Sequence, residues 1–151
     1  MFKLNVPVKI AKQVVMSDSD KPNAPIRILL VEDHFLNQIA TRKVLNSWSE
    51  LITIDIAENG MIAVEKFREH GYDLILMDIQ MPVMNGLEAA TRIRETSQVP
   101  IIALTANATK QEQNKCAKVG MNDYLSKPFQ PQELYSTIMN LLAEVQASAV
   151  A

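Results

Sequence analysis

Leu74-Ile75-Leu76-Met77 is an apolar run into which no polar residue alternates, and it ends at Asp78, just before a loop punctuated by Pro82 and Gly86. A strand with one face in water alternates apolar and polar residues, whereas one that does not alternate must be covered on both faces. This stretch suits a strand buried on both faces of a parallel sheet, in which helical crossovers flank the sheet on both sides. It also leaves a carboxylate where the strand emerges, the edge at which open α/β sheets bind their ligands.

The rest of the sequence repeats the same unit. Ile26–Val31 is a mostly apolar run rich in branched residues that stops at Glu32-Asp33. From His34 the period changes: Leu36, Ala40, Val44 and Leu45 recur at helical spacing, with Asn37, Gln38, Thr41, Arg42 and Lys43 between them. This predicts an amphipathic helix ending near Ser47, with the apolar set inward. Residues 51–56 read as a second strand, and Ile62, Ala63, Lys66 and Phe67 as a helix stopped before Gly71. Leu87, Ala90, Ile93 and Arg94 mark a third helix, residues 99–104 a fourth strand, and Thr109 caps a fourth helix that Gly120 closes. Residues 123–125 form a short fifth strand, and Gln130-Pro131 opens a fifth helix with Leu134, Ile138, Leu141 and Leu142 inward. The Ala-rich tail from Ala143 is expected to fray.

Five strands alternating with five helices over short loops predict a three-layer α/β domain, a (βα)5 doubly wound parallel sheet in the flavodoxin-like strand order 2-1-3-4-5. The expected domain spans residues 26–145, with residues 146–151 as a tail. Residues 1–25 form an extension: Phe2, Leu4 and Val6 alternate like a short strand, and residues 17–25 are polar and proline-marked like a linker.

Composition narrows the function. A net charge of −2 without a basic run argues against direct contact with nucleic acid. One cysteine, Cys116, excludes an intrachain disulfide and a Cys-built metal site and suits a reducing compartment, so a cytoplasmic location is expected. No apolar run has the length of a membrane span, and the first residues lack the apolar core of a signal peptide, so no membrane contact is expected of this segment.

In the order 2-1-3-4-5 the first and third strands are neighbours, and Glu32, Asp33 and Asp78 share a pocket at their ends. Three close carboxylates stay ionised together only beside a hard cation or a basic side chain. Magnesium suits an open acidic cleft, because it binds through one or two carboxylates and completes its shell with waters and phosphate oxygens. The fourth and fifth strands bring Thr105 and Lys127 to the same rim, a hydroxyl donor and an ammonium for a phosphoryl group. A nucleophile, a metal site, a donor and a cation are the inventory for phosphoryl transfer to a carboxylate.

Glu32-Asp33, Met77-Asp78 followed by Met81-Pro82 and Gly86, Leu104-Thr105-Ala106, and Tyr124-Leu125-Ser126-Lys127-Pro128 stand in an order that resembles the response-regulator receiver domain, over residues 26–142. The resemblance implies that Asp78 is the phosphoacceptor, and that Asp33, Asp78 and the Gln80 carbonyl ligate Mg²⁺ with Glu32 acting mainly through water. It further implies that Thr105 and Lys127 hold the phosphoryl group, that the Lys127-Pro128 bond is cis, and that Thr105 and Tyr124 form a switch reporting at the fourth helix, fifth strand and fifth helix. Asn85 stands where the family has Asp or Asn.

The segments around Asp78 and Glu32 look most like receivers fused to hybrid sensor histidine kinases, and Phe2 to Val8 resembles the last strand of a kinase ATP-binding domain. The implied donor is then a phosphohistidine upstream in the same chain, whose parent protein could be membrane-anchored, and the implied acceptor a histidine-phosphotransfer protein. Phe35 and Ile39, one turn apart, are candidates for its docking patch. A homodimer would use the face of the fourth helix, fifth strand and fifth helix.

A stand-alone response regulator or phosphate shuttle shares every site residue. Other classes fit these residues less well. A phosphatase of the haloacid dehalogenase type needs a second Asp two residues after the nucleophile, where this chain has Gln80. A flavin-binding domain needs a phosphate loop where this chain has Glu32-Asp33-His34. A docking scaffold would not need the full set. His34 reads as a surface residue, and Cys116 as a packed thiol.

Overall fold

A computed structural model describes residues 21–150, with side chains described to residue 146. The expected strand at Phe2 to Val8 lies outside the described residues, as do residues 17–20 of the expected linker.

The elements alternate as the sequence requires: β1 (Ile26–Val31), α1 (Phe35–Trp48), β2 (Ile52–Ala57), α2 (Gly60–Glu69), β3 (Leu74–Asp78), α3 (Gly86–Arg94), β4 (Ile101–Thr105), α4 (Lys110–Lys118), β5 (Asp123–Ser126) and α5 (Pro131–Val150). All strand pairs are parallel, in the order β2-β1-β3-β4-β5. Every residue of β3 and β4 is buried, because the sheet has a core on each face. Leu29, Val31, Ile75, Met77, Ile101 and Ala103 meet α2, α3 and α4 through residues such as Ala63, Ala90, Ile93 and Cys116. Ile28, Leu30, Leu74, Leu76, Ile102 and Leu104 face the other way, toward Leu45 and Trp48 of α1 and Leu134, Ile138 and Leu141 of α5. Each fully buried aliphatic side chain contributes roughly 1.5–3 kcal/mol, so the uninterrupted apolar strands drive the three-layer arrangement. Trp48 stacks on Tyr135 with ring centroids 4.4 Å apart, and the Tyr135 hydroxyl donates to the Val44 carbonyl at 3.0 Å, fastening α1 to α5.

The inward face of α1 differs from the expected one. Gln38, Thr41, Leu45 and Trp48 are buried, Ala40 is exposed, and Leu36 is 77% exposed. Leu36 and Leu45 lie half a turn apart round the helix, so they cannot share a face. Trp48, which covers the sheet beside Leu45, fixes the rotation, and the polar pair Gln38 and Thr41 is carried inward with it. The C-terminal end also differs: α5 continues to Val150, past Ala143, as suits a segment rich in the best helix former.

The loop from β3 to α3 is compact. Ile79 donates from its backbone to the Leu104 carbonyl at 3.1 Å, and Gly86 donates to the Ile79 carbonyl at 2.9 Å. At Val83 the chain makes a γ-turn (φ 70°), with Met84 N donating across it to the Pro82 carbonyl at 2.8 Å, a conformation that a branched residue adopts only under strain. The start of α3 is fixed by contact: a Cβ on Gly86 would collide with the carbonyl oxygen of Asp78 and lie 3.0 Å from the Ile79 Cα. Gly86→Ala is therefore expected to cost roughly 1–3 kcal/mol in urea unfolding, although alanine is the better helix former. A variant as stable as the parent would show that this approach is not tight.

Candidate functional site

The register delivers the site residues to one end of the sheet. Val31 pairs with Met77 and Asp78 with Leu104, so Glu32, Asp33 and Asp78 emerge side by side from β1 and β3, and Thr105 follows on β4. Thr105 pairs with Ser126, and Lys127 N donates to the Thr105 carbonyl at 2.8 Å, which places Lys127 at the same rim. The Lys127-Pro128 peptide bond is cis, as expected.

Lys127 reaches across the cleft. Its Nζ lies 2.8 Å from Glu32 Oε1 and 3.4 Å from Asp78 Oδ2. Both acids are buried, Glu32 at 1% exposure and Asp78 at 6%. The Asp78 carboxyl is pushed up to about 6: its burial is the main cause, Lys127 works against the rise, and the Glu32 carboxylate adds to it. An acid in that state lacks compensating positive charge, since one ammonium serves two buried carboxylates, with Asp33 beside them. One ligand atom from each of Glu32, Asp33 and His34 falls within 4.8 Å of the others. The carboxylate oxygens fit a hard divalent cation such as Mg²⁺, which would supply the missing charge.

Several partners refine the expected roles. Glu32 uses both its oxygens: Oε1 meets Lys127, and Oε2 accepts from the His34 backbone N–H at 3.2 Å. Thr105 Oγ1 accepts from the Asn107 N–H at 3.0 Å, which ties the β4–α4 loop to the hydroxyl. Gln80 is exposed directly after buried Ile79. Tyr124 is half-buried, packed against the core on the α4 side of the sheet. Phe35 is 69% exposed and Ile39 47%, and Leu36 joins them on the outer face of α1. Cys116 is buried, and that burial pushes its thiol up to about 11, so it is not a reactive thiolate.

His34 is at the surface, as expected, and Gln38 near the site is the residue that the sequence left unmarked. The His34 ring, 71% exposed, has Nδ1 3.0 Å from Asp33 Oδ1. Gln38, read as an outward polar residue, is buried and donates from Nε2 to the Glu32 carbonyl at 2.7 Å. Counting back in helical steps from Leu45 and Trp48 would have placed it inward.

Comparison with known proteins agrees with this geometry. Residues 28–139 match the response regulator receiver domain family. The sequence is 41% identical over 140 residues to hybrid signal transduction histidine kinase B of Dictyostelium discoideum, a match that covers 83% of this chain and 7% of the kinase. The receiver domain of sensor histidine kinase PA1611 from Pseudomonas aeruginosa, solved with a magnesium ion coordinated in its active-site cleft, superposes with a TM-score of 0.73 at 39% identity, covering 80% of this chain and 99% of that one. The receiver domain of Ssk1 from Saccharomyces cerevisiae, solved in complex with the histidine phosphotransfer protein Ypd1, gives a TM-score of 0.75 at 34% identity over 82% of this chain and 92% of that one.

Proposed function

Because the chain belongs to the response regulator receiver domain family, we propose that Asp78 is its phosphoacceptor and takes a phosphoryl group from a protein phosphohistidine in a reaction that requires Mg²⁺. The observation that carries this reading is the buried Asp78 carboxylate, at the end of a central strand and 3.4 Å from the Lys127 ammonium. Asp33, Asp78 and the Gln80 carbonyl would hold the cation, with Glu32 acting through water. When bound, it supplies positive charge to the phosphoryl oxygens and to the attacking carboxylate.

The chain's own residues do the rest. An Asp78 carboxylate oxygen attacks phosphorus, the bond from phosphorus to the imidazole nitrogen breaks, and the bonding pair leaves with the imidazole. Lys127 exchanges part of its contact with Glu32 for a phosphoryl oxygen, and the Thr105 hydroxyl donates to another. The pull on Thr105 is passed to Asn107 through the hydrogen bond that Thr105 Oγ1 already makes. Space freed beside Ala106 lets the half-buried Tyr124 ring turn inward, so α4, β5 and α5 report the modification. That face is also where a homodimer would form.

The chain spans 7% of the length of the Dictyostelium kinase, and we read it as the receiver segment of a hybrid sensor histidine kinase. A stand-alone response regulator is the second reading. Among the described residues no helix is long and apolar enough to cross a membrane. The resting place of the whole protein is proposed as cytoplasmic, with a membrane anchor elsewhere in the parent an open arrangement.

The partner surface proposed is the outer face of α1, where Phe35, Leu36 and Ile39 are exposed beside the cleft. Apolar side chains there would pack against a helical phosphotransfer protein and bring its histidine over Asp78. The test is transfer of labelled phosphate from a phosphorylated histidine-phosphotransfer protein. Phe35→Ser with Ile39→Ser is expected to slow it about tenfold while uptake from acetyl phosphate stays within about twofold of the parent. Equal slowing of both reactions would place the effect in the cleft and not in docking.

A further inference from the structure

A glutamine on the buried face of a helix needs a reason, because an apolar residue there would pack without the cost of burying an amide. Gln38 is 8% exposed, and its Nε2 donates to the Glu32 carbonyl at 2.7 Å. Its backbone N–H also closes the first turn of α1 on the His34 carbonyl at 2.9 Å. Gln38 thus grips the acidic loop at two points, at its first residue and its last, with Asp33 between them.

The loop depends on that grip because the ordinary device is missing. His34 stands at the N-cap of α1 and makes no side-chain capping bond, and the first turn carries no acidic residue. The loop is instead closed on itself: the Glu32 carboxylate accepts from His34 N, Glu32 N donates to the Ala57 carbonyl at 3.0 Å, and Gln38 takes the Glu32 carbonyl. Rotation of the peptide between Glu32 and Asp33 would redirect the Asp33 carboxylate, which now lies in one group with Glu32 and His34. Of the groups that set this peptide's orientation, the Gln38 amide is the one supplied by a side chain of the helix.

We propose that Gln38 is a positioning residue for the divalent cation: a buried amide that touches neither metal nor phosphoryl group sets the affinity of the cleft by fixing the Glu32-Asp33 peptide. Partners one step removed from a metal commonly change its affinity by 10–100-fold. The inference rests on the reading of Asp33 and Asp78 as the cation's ligands.

The experiment measures Mg²⁺ binding to the full chain by calorimetric titration, with urea unfolding in chelator as a separate record of stability. Gln38→Met, close in shape but without a donor, is expected to bind Mg²⁺ about tenfold more weakly. The Mg²⁺ concentration giving half-maximal uptake from acetyl phosphate should rise by the same factor, with the plateau rate retained. Thr41→Val, a buried substitution one turn along the same face, serves as the control and should leave the Mg²⁺ affinity unchanged whatever it does to stability. If Gln38→Met does not fold, Gln38→Asn carries the comparison, since it keeps the amide but withdraws it from the carbonyl by one carbon–carbon bond. An unchanged Mg²⁺ affinity in a folded Gln38 variant, while Asp33→Asn abolishes binding, would overturn the role of Gln38 alone. Mg²⁺ binding that Asp33→Asn leaves intact would overturn the metal site on which it rests.

Discussion

Asp78→Asn is expected to take up no phosphoryl group from any donor, and to be the more stable protein above pH 6 in metal-free buffer. The amide is nearly the same shape as the carboxylate but has no anionic oxygen to attack phosphorus. The stability gain follows from burial. The Asp78 carboxyl sits at about 6 in the folded protein, against an ordinary value of 3.8. Between those two values the folded state binds more protons than the unfolded one, so stability falls as pH rises through that window and levels off above it. The loss is on the order of 3 kcal/mol at most, and screening at the open mouth of the cleft reduces it. Asparagine carries no such proton. The difference in urea stability between parent and variant, followed from pH 4 to 8 in chelator, should therefore grow in the variant's favour up to about pH 6 and then stay flat. A difference independent of pH would mean that burial does not raise the Asp78 carboxyl.

Lys127→Met has the second large effect and separates rate from stability. Its ammonium is the counter-charge of two buried acids, 2.8 Å from Glu32 and 3.4 Å from Asp78. Breaking a buried pair by removing one partner costs roughly 3–5 kcal/mol, and the variant should be weakest in chelator, where no cation replaces the lysine. Loss of one preorganised contact to a phosphoryl oxygen is expected to slow uptake by about 10²–10³. Adding Glu32→Gln removes the stranded charge and should restore much of the stability without restoring the rate. If the double variant regained normal uptake, Lys127 would be acting only through the fold.

The sheet order was legible because the strands advertise themselves: the uninterrupted apolar runs in β3 and β4 could only be central, and the polar residues that end them fall at one edge. The same logic brought Glu32, Asp78 and Lys127 together before any distance was known. The register of α1 was less legible. Leu36, Ala40 and Val44 do recur at helical spacing, but the anchors are Leu45 and Trp48, and burial of Trp48 against Tyr135 outweighs exposure of the smaller Leu36. Gln38 was hidden for the same reason, since a polar residue is assigned to water unless its partner is known. The partner is a backbone carbonyl, which carries no signature in the sequence. Fraying was expected from Ala143, where α5 runs on to Val150, a course that an Ala-rich segment favours.

The most direct test of the central claim is to locate the modified residue. The protein is incubated with acetyl phosphate and Mg²⁺, reduced with borohydride, which converts an aspartyl phosphate to homoserine, and mapped by peptide mass spectrometry. Homoserine at position 78 alone, and none when the metal is chelated, is the expected result. Reduction at Asp33 or elsewhere, or labelling of Asp78 that does not need the metal, would contradict the assignment of the cleft.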